Sequence, residues 1–130
     1  MSQRSRLSRS SEFQRVYRQG KSTASRFLVL YYFEHPPGAP AEEPRLGLSV
    51  SKKVGGAVVR NRIKRLLREA FQESMPRLPH SYDYVVIARP SLAELSERQA
   101  HGEKGLVPAA LVEVLERAKL ITAQEAAAQQ

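Results

Sequence analysis

Residues 52–68 read Lys-Lys-Val-Gly-Gly-Ala-Val-Val-Arg-Asn-Arg-Ile-Lys-Arg-Leu-Leu-Arg, seven cations without one acid. The Gly-Gly pair separates a basic strand end from a basic helix. At about 100° per residue, Val59, Ile63, Leu66, Leu67, Ala70 and Phe71 fall on one face of that helix. Arg60, Lys64, Arg65 and Arg68 fall on the other, with Asn61 among them and Arg62 at the far edge. A helix divided in this way must bury one face in a core and present the other outward. Solvated charged faces usually mix signs through i,i+4 pairs. Here the first acid is Glu69, so a polyanionic partner explains the pattern better than solvent does.

The charge is polarised along the chain. Residues 1–77 carry 16 Lys/Arg and 6 Glu, a net of +10, whereas residues 78–130 have a net of −2. A basic surface attracts phosphate backbones or anionic membranes. No long apolar run and no lipidation motif supports the membrane reading. The basic, serine-rich N-terminus has no apolar stretch of the secretory kind, so no secretory signal is expected, and the lack of cysteine suits a reducing cytoplasm. The absence of cysteine excludes disulfides and thiolate metal sites. A length of 130 residues suits one domain with one modest core, with residues 1–7 a mobile tail and 122–130 a frayed one.

The remaining elements follow from local patterns. Residues 10–19 read as a helix, with Ser10 as cap, Glu12 near its positive end and Gly20 as its stop. Residues 27–34 are a strand rich in aromatic and branched residues; 21–26 either extend it or pair separately. Strand phase sets Phe27, Val29, Tyr31 and Phe33 opposite Leu28, Leu30 and Tyr32. Four prolines and a glycine make 35–44 a loop. In the strand 45–51, Leu46, Leu48 and Val50 oppose Gly47, Ser49 and Ser51. The basic helix runs to about Ser74, before Pro76 and Pro79. Residues 82–89 form another strand, 91–106 read as a polar loop with one helical turn, and Pro108 opens a helix carrying Leu111, Val112, Leu115, Ala118 and Ile121 inward. The order is helix, strand or strand pair, strand, helix, strand, helix: an α/β sandwich with a small sheet.

A self-sufficient enzyme needs converging acids, bases, nucleophiles or metal ligands. Asp83 is the sole aspartate, and His35, His80 and His101 read as scattered, solvated loop residues. The run from Lys52 to Gly56 lacks the order of a phosphate-binding loop, although its glycine amides can meet a phosphate at the helix start. Asn61 can fix the helix start through a nearby backbone group, read an RNA sugar or base edge, or combine the two roles. Phe13, Tyr17, Phe27, Tyr31 and Phe33 have the spacing of core residues, but adjacent Tyr31 and Tyr32 point to opposite faces, and an aromatic wall beside the small polar Ser49 and Ser51 suits a stacking platform for single-stranded bases as well as it suits a core.

The stretch from Arg45 to Glu69 closely resembles the signature of the bacterial ribonuclease P protein component, with Arg60-Asn61-Arg62 matching the family's Arg-Asn-Arg motif. Glu12 to Tyr17 with Gly20, and Tyr82 to Arg89, match in the same order and spacing, so the resemblance spans about residues 7–90. It implies a single-domain two-layer α/β sandwich of the ribosomal protein S5 domain 2-like class. The sheet would be mostly antiparallel, with a left-handed strand-helix-strand crossover where chain order alone points to the right-handed choice. It implies a subunit that hydrolyses nothing itself: a catalytic RNA with bound Mg2+ removes the 5′ leader of precursor tRNA. The implied contacts to that RNA are Lys52, Lys53, Arg60, Asn61, Arg62, Lys64, Arg65 and Arg68. Phe13, Tyr17, Tyr31, Ser49 and Ser51 would line a leader cleft between the first helix and the open sheet face. A protein monomer bound 1:1 to the RNA is implied, with no metal or cofactor of its own. The competing reading is a ribosomal or other structural RNA-binding protein.

Overall fold

A computed structural model of the chain describes residues 6–7, 10–35, 44–79 and 81–121. The expected proline-rich loop, His80 and the frayed end at 122–130 fall wholly or largely outside them. Four helices, α1 (Ser10–Gln19), α2 (Ala57–Ser74), α3 (Leu92–Ala100) and α4 (Leu106–Arg117), surround one sheet. Its strands are β1 (Lys21–Ala24), β2 (Leu28–Glu34), β3 (Arg45–Ser49) and β4 (Tyr82–Ala88), in spatial order β1-β2-β4-β3. β1 pairs antiparallel with β2, and β2 with β4. β3 and β4 are parallel. A parallel pair cannot be joined by a tight hairpin, and α2, followed by a single 3-10 turn (Met75–Arg77), makes the crossover.

The two phases of the strands build two apolar clusters. Leu28 and Leu30 of β2, Leu46 of β3, and Tyr84, Val86 and Ala88 of β4 meet Ile63, Leu67 and Phe71 of α2. Leu92 and Leu95 of α3 and Val107, Leu111, Val114 and Leu115 of α4 close this core. Each fully buried Leu or Phe contributes about 1.5–3 kcal/mol, so the apolar face of α2 is a principal anchor of the fold. Phe71 meets the Tyr84 ring edge-on, with centroids 5.5 Å apart. On the opposite face Val85 packs with Leu7 and Val16, flanked by Phe13, Tyr17, Tyr31, Phe33 and Ile87. The helical layer α2–α4 thus covers one face of the sheet, and α1 covers part of the other. Central β4 is apolar on both sides, as a doubly covered strand should be.

Two glycines allow this approach. A Cβ on Gly20 would lie 2.5 Å from the carbonyl oxygens of Val16 and Tyr32, so only glycine lets the chain turn from α1 into β1 there. A Cβ on Gly47 would stand 2.6 Å from the Phe13 ring, so the bare backbone of β3 is what lets that ring settle on the sheet.

Four expectations are corrected. Arg6 and Leu7 are not tail: Arg6 bridges Leu46 in parallel, Leu7 N–H donates to the Leu46 carbonyl at 3.0 Å, and the Leu7 side chain is buried. The free edge of β3 and an apolar slot under α1 hold them. Phe27 leaves the phase of Tyr31 and packs on the α2–α4 side. The cause is the turn before β2, where Ser25 Oγ accepts the Phe27 and Leu28 N–H groups, each at 3.2 Å, so strand alternation begins only at Leu28. Residues 92–100 are a nine-residue helix, not a loop, because Leu92, Leu95 and Ser96 are buried together on one side. Ser10 is the first helical residue of α1.

His35 is the remaining departure. It is no solvated loop residue: its Nε2 lies 2.8 Å from Asp83 Oδ1, and its side chain is largely covered. Arg45 completes the cluster. Its Nε and Nη2 donate to the two Asp83 oxygens, both at 2.8 Å, and its Nη1 donates to Glu12 at 2.7 Å. The hydrogen bonds to Asp83 hold the Arg45 guanidinium firmly protonated against the opposing effect of burial. One fork therefore ties β3 to β4 and to α1. Removing one partner of a buried ion pair costs roughly 3–5 kcal/mol, and in a small domain each kcal/mol moves the unfolding temperature by about 4–8 °C. Asp83→Ala should accordingly lower the midpoint of thermal unfolding by more than about 10 °C in a calorimetric scan; a fall below about 4 °C would show the cluster to be peripheral.

Candidate nucleic-acid interface

The helix α2 starts on bare backbone. Gly56, in extended conformation, is its cap and gives no side-chain hydrogen bond. Asn61 lies a full turn further on, exposed, and its amide has no partner among the described residues. It does not fix the helix start.

The cations divide by their position around α2. Arg60, Lys64 and Arg68 form a half-buried edge; Asn61 and Arg65 point outward; Arg62 occupies the edge facing α3. Arg60 Nε is buried without a hydrogen-bond partner among the described residues. Burial, and then the charge of Arg6, lower the Arg68 pKa. Arg65 meets Glu69 at 3.9 Å with both side chains exposed, a weak pair that an incoming phosphate can displace. Lys52 and Lys53 are exposed on the turn that leads into the helix. Arg6, exposed at the edge of β3, adds its charge to those of α2. Its sequence signal was slight: a single apolar residue, Leu7, inside a polar stretch.

A second surface lies on the opposite face of the sheet. Tyr17 meets Tyr31 edge-on with centroids 5.0 Å apart, and Phe13 stands 6.3 Å from Tyr17. All three rings are half-buried, so they rest on Val16 and Val85 yet keep open surface. Burial first, and then Tyr31, raise the Tyr17 pKa, so its hydroxyl stays neutral and able to donate. Ser49 pairs with Ile87 in the register that puts Gly47 beside Val85, hence on the same face as Tyr31. Ser51 is exposed just beyond the end of β3, and its carbonyl accepts the Val54 N–H at 3.0 Å. The structure therefore unites the three rings with Ser49 and leaves Ser51 at the rim. Tyr32 faces the other way, 6.3 Å from Tyr82.

Among the described residues no three His, Cys, Asp or Glu side chains gather. Both oxygens of Asp83 accept from Arg45, and His35 shares one of them. His101, at the end of α3, is exposed and 2.8 Å from Glu97.

The Ribonuclease P family profile matches residues 1–107. The chain is 49% identical to the ribonuclease P protein component of Bacillus pumilus over 96 residues, 74% of this chain and 78% of that one. It is 41% identical to the one from Halalkalibacterium halodurans over 93% of each. The Staphylococcus aureus RNase P protein superposes with a TM-score of 0.75 at 35% identity, covering 91% of this chain and 98% of that one. A structural RNA-binding protein of another kind is not favoured. The chain belongs to the ribonuclease P protein family.

Proposed function

We propose that the chain acts in ribonuclease P by binding on two sides at once, while the RNA subunit carries out the hydrolysis. The cationic face of α2, with Arg6, Lys52 and Lys53 beside it, takes phosphates of the catalytic RNA. The Phe13, Tyr17 and Tyr31 rings with Ser49, and Ser51 at the rim, take the single-stranded 5′ leader of precursor tRNA. The observation that carries this reading is the placement of the two surfaces on opposite faces of one sheet, so that one rigid layer can bridge two RNAs. Magnesium belongs with the RNA in this reading, because Asp83 and Glu12, the two carboxylates drawn together, are engaged by Arg45. Such ions supply charge stabilisation at the scissile phosphate. Among the described residues no helix is long and apolar enough to cross a membrane. A monomer working 1:1 with its RNA in the cytoplasm fits the whole.

Reconstitution tests the central claim. Ribonuclease P RNA at low magnesium, cleaving precursor tRNA poorly alone, should regain leader removal when the chain is added. The chain with magnesium but no RNA should leave the precursor intact. Leader cleavage by the RNA-free chain would overturn the division of labour.

Binding measurements test the two surfaces separately. Each phosphate contact contributes roughly 0.7–0.9 to the slope of log affinity against log salt. Replacing Lys64, Arg65 and Arg68 together by alanine should reduce that slope by roughly 2–3 for the RNA subunit. An unchanged slope would remove the helix face from the interface.

Stacking one base on an aromatic side chain contributes about 1–3 kcal/mol. Tyr31→Ala should therefore weaken precursor tRNA binding to the assembled enzyme by about 5- to 100-fold, with mature tRNA nearly unaffected. Equal losses for precursor and mature tRNA would mark Tyr31 as scaffold only.

A further inference from the structure

Helix α3 reaches the edge of α2 at one point. Ser96 Oγ, on a residue with no exposed surface, accepts the Arg62 Nε–H at 3.0 Å. Glu97 Oε2, on the next residue, accepts from Arg62 Nη2 at 3.2 Å. Leu92 and Leu95 seat α3 in the core, and Gln99 accepts the Val107 N–H at 3.0 Å, fastening its end to α4. Ser96 is thus a fixed acceptor on a fixed helix. Glu97 is mostly exposed, so its ion pair alone would do little; the buried hydroxyl does the locating.

A guanidinium has five N–H donors in a planar fork. This brace engages Nε–H and one N–H of Nη2. The N–H groups left over belong to Nη1 and Nη2, the edge suited to bidentate contact with a phosphate. Arg62 lines an open groove of about 460 Å3 together with Val58, Asn61 and Arg65, a volume in the range of small-ligand sites. Val58 is 79% exposed, the one exposed large hydrophobic side chain among the described residues. The groove thus offers donors for a phosphate, an unpartnered amide, and an apolar surface, which together match one unpaired nucleotide better than a duplex backbone alone.

We propose that α3 is part of the RNA interface, and that Ser96, with Glu97, is a positioning residue that holds Arg62 so its free edge receives a phosphate of an unpaired nucleotide lying in this groove. The proposal rests on the reading of α2 as the surface for the RNA subunit. Ordering Arg62 before the RNA arrives removes part of the cost of immobilising a long side chain on binding. It also gives 92–100 a purpose that its polar sequence conceals.

A double-mutant cycle tests it, with affinity for ribonuclease P RNA measured for the wild type, Ser96→Ala, Arg62→Lys and the double variant, and thermal unfolding recorded alongside. Ser96→Ala should weaken binding by about 2- to 10-fold, the scale of one hydrogen bond. Arg62→Lys should weaken it at least as much, since lysine has no fork. Lysine also has no Nε–H for Ser96 to accept, so the double variant should bind no more weakly than Arg62→Lys alone. A Ser96→Ala loss that persists undiminished in the lysine background would show that Ser96 serves the fold, and no loss from Ser96→Ala would show that the brace is idle. Either result overturns the proposal. Wild-type affinity in Arg62→Lys would overturn it as well, by showing that the arginine fork is not needed. The Lys64, Arg65, Arg68 triple alanine variant tells these failures apart from failure of the helix-face reading, because its loss of affinity does not depend on Ser96.

Discussion

The contact on which most of the arrangement depends is the fork of Arg45 closed on Asp83 and Glu12. Asp83 sits near the start of the central strand, buried at 1% exposure, and a lone carboxylate there would be strongly disfavoured. Arg45 reaches it from the parallel neighbour, His35 from the far end of β2, and the third donor of the fork turns to α1. The same four side chains therefore set the β3–β4 register and the place of α1 over the sheet. Because α1 carries Phe13 and Tyr17, the shape of the aromatic cleft is a consequence of this ion cluster. The sole aspartate of the chain is structural, which explains why the one residue that might have suggested acid-base chemistry has no open oxygen.

The crossover helix couples the other surface to the same sheet. Its apolar face is clamped by β4, α3 and α4, so the cations opposite are carried on a rigid rod. Arg60 and Arg68 are partly withdrawn from water and have no acidic partner among the described residues, an arrangement tolerable only while some contact with solvent or an anion remains. The helix thus holds its charges in readiness for a polyanion. Family membership makes the RNA of ribonuclease P the partner polyanion, and the aromatic rings lie on the opposite face of the same sheet.

Much of this was legible in order and phase. The split of α2 into Ile63, Leu67 and Phe71 against Arg60, Lys64 and Arg68 follows from helical period alone, and the alternation of Leu30, Tyr31 and Tyr32 from strand period. The misreadings have local causes. Phe27 follows a Ser25 turn that interrupts alternation. In 92–100 two leucines among polar residues resemble a loop until α2 and α4 are present to bury them. Leu7 has no periodic neighbour, and only the unpaired edge of β3 gives it a place. His35 lies beside a proline-rich stretch and meets Asp83, 48 positions away, only after β2 and β4 have paired.

The sequence by itself determined most of the helices and strands, which face of each is apolar, and that the basic segment gathers its cations on one side, because periodicity acts between near neighbours along the chain. Tertiary structure alone decided that Asp83 would be enclosed by Arg45 and His35, that Gly47 would admit the Phe13 ring, and that Ser96 would hold Arg62. Those contacts join residues far apart in sequence, whose meeting depends on strand order and on how layers stack, and no local pattern encodes either.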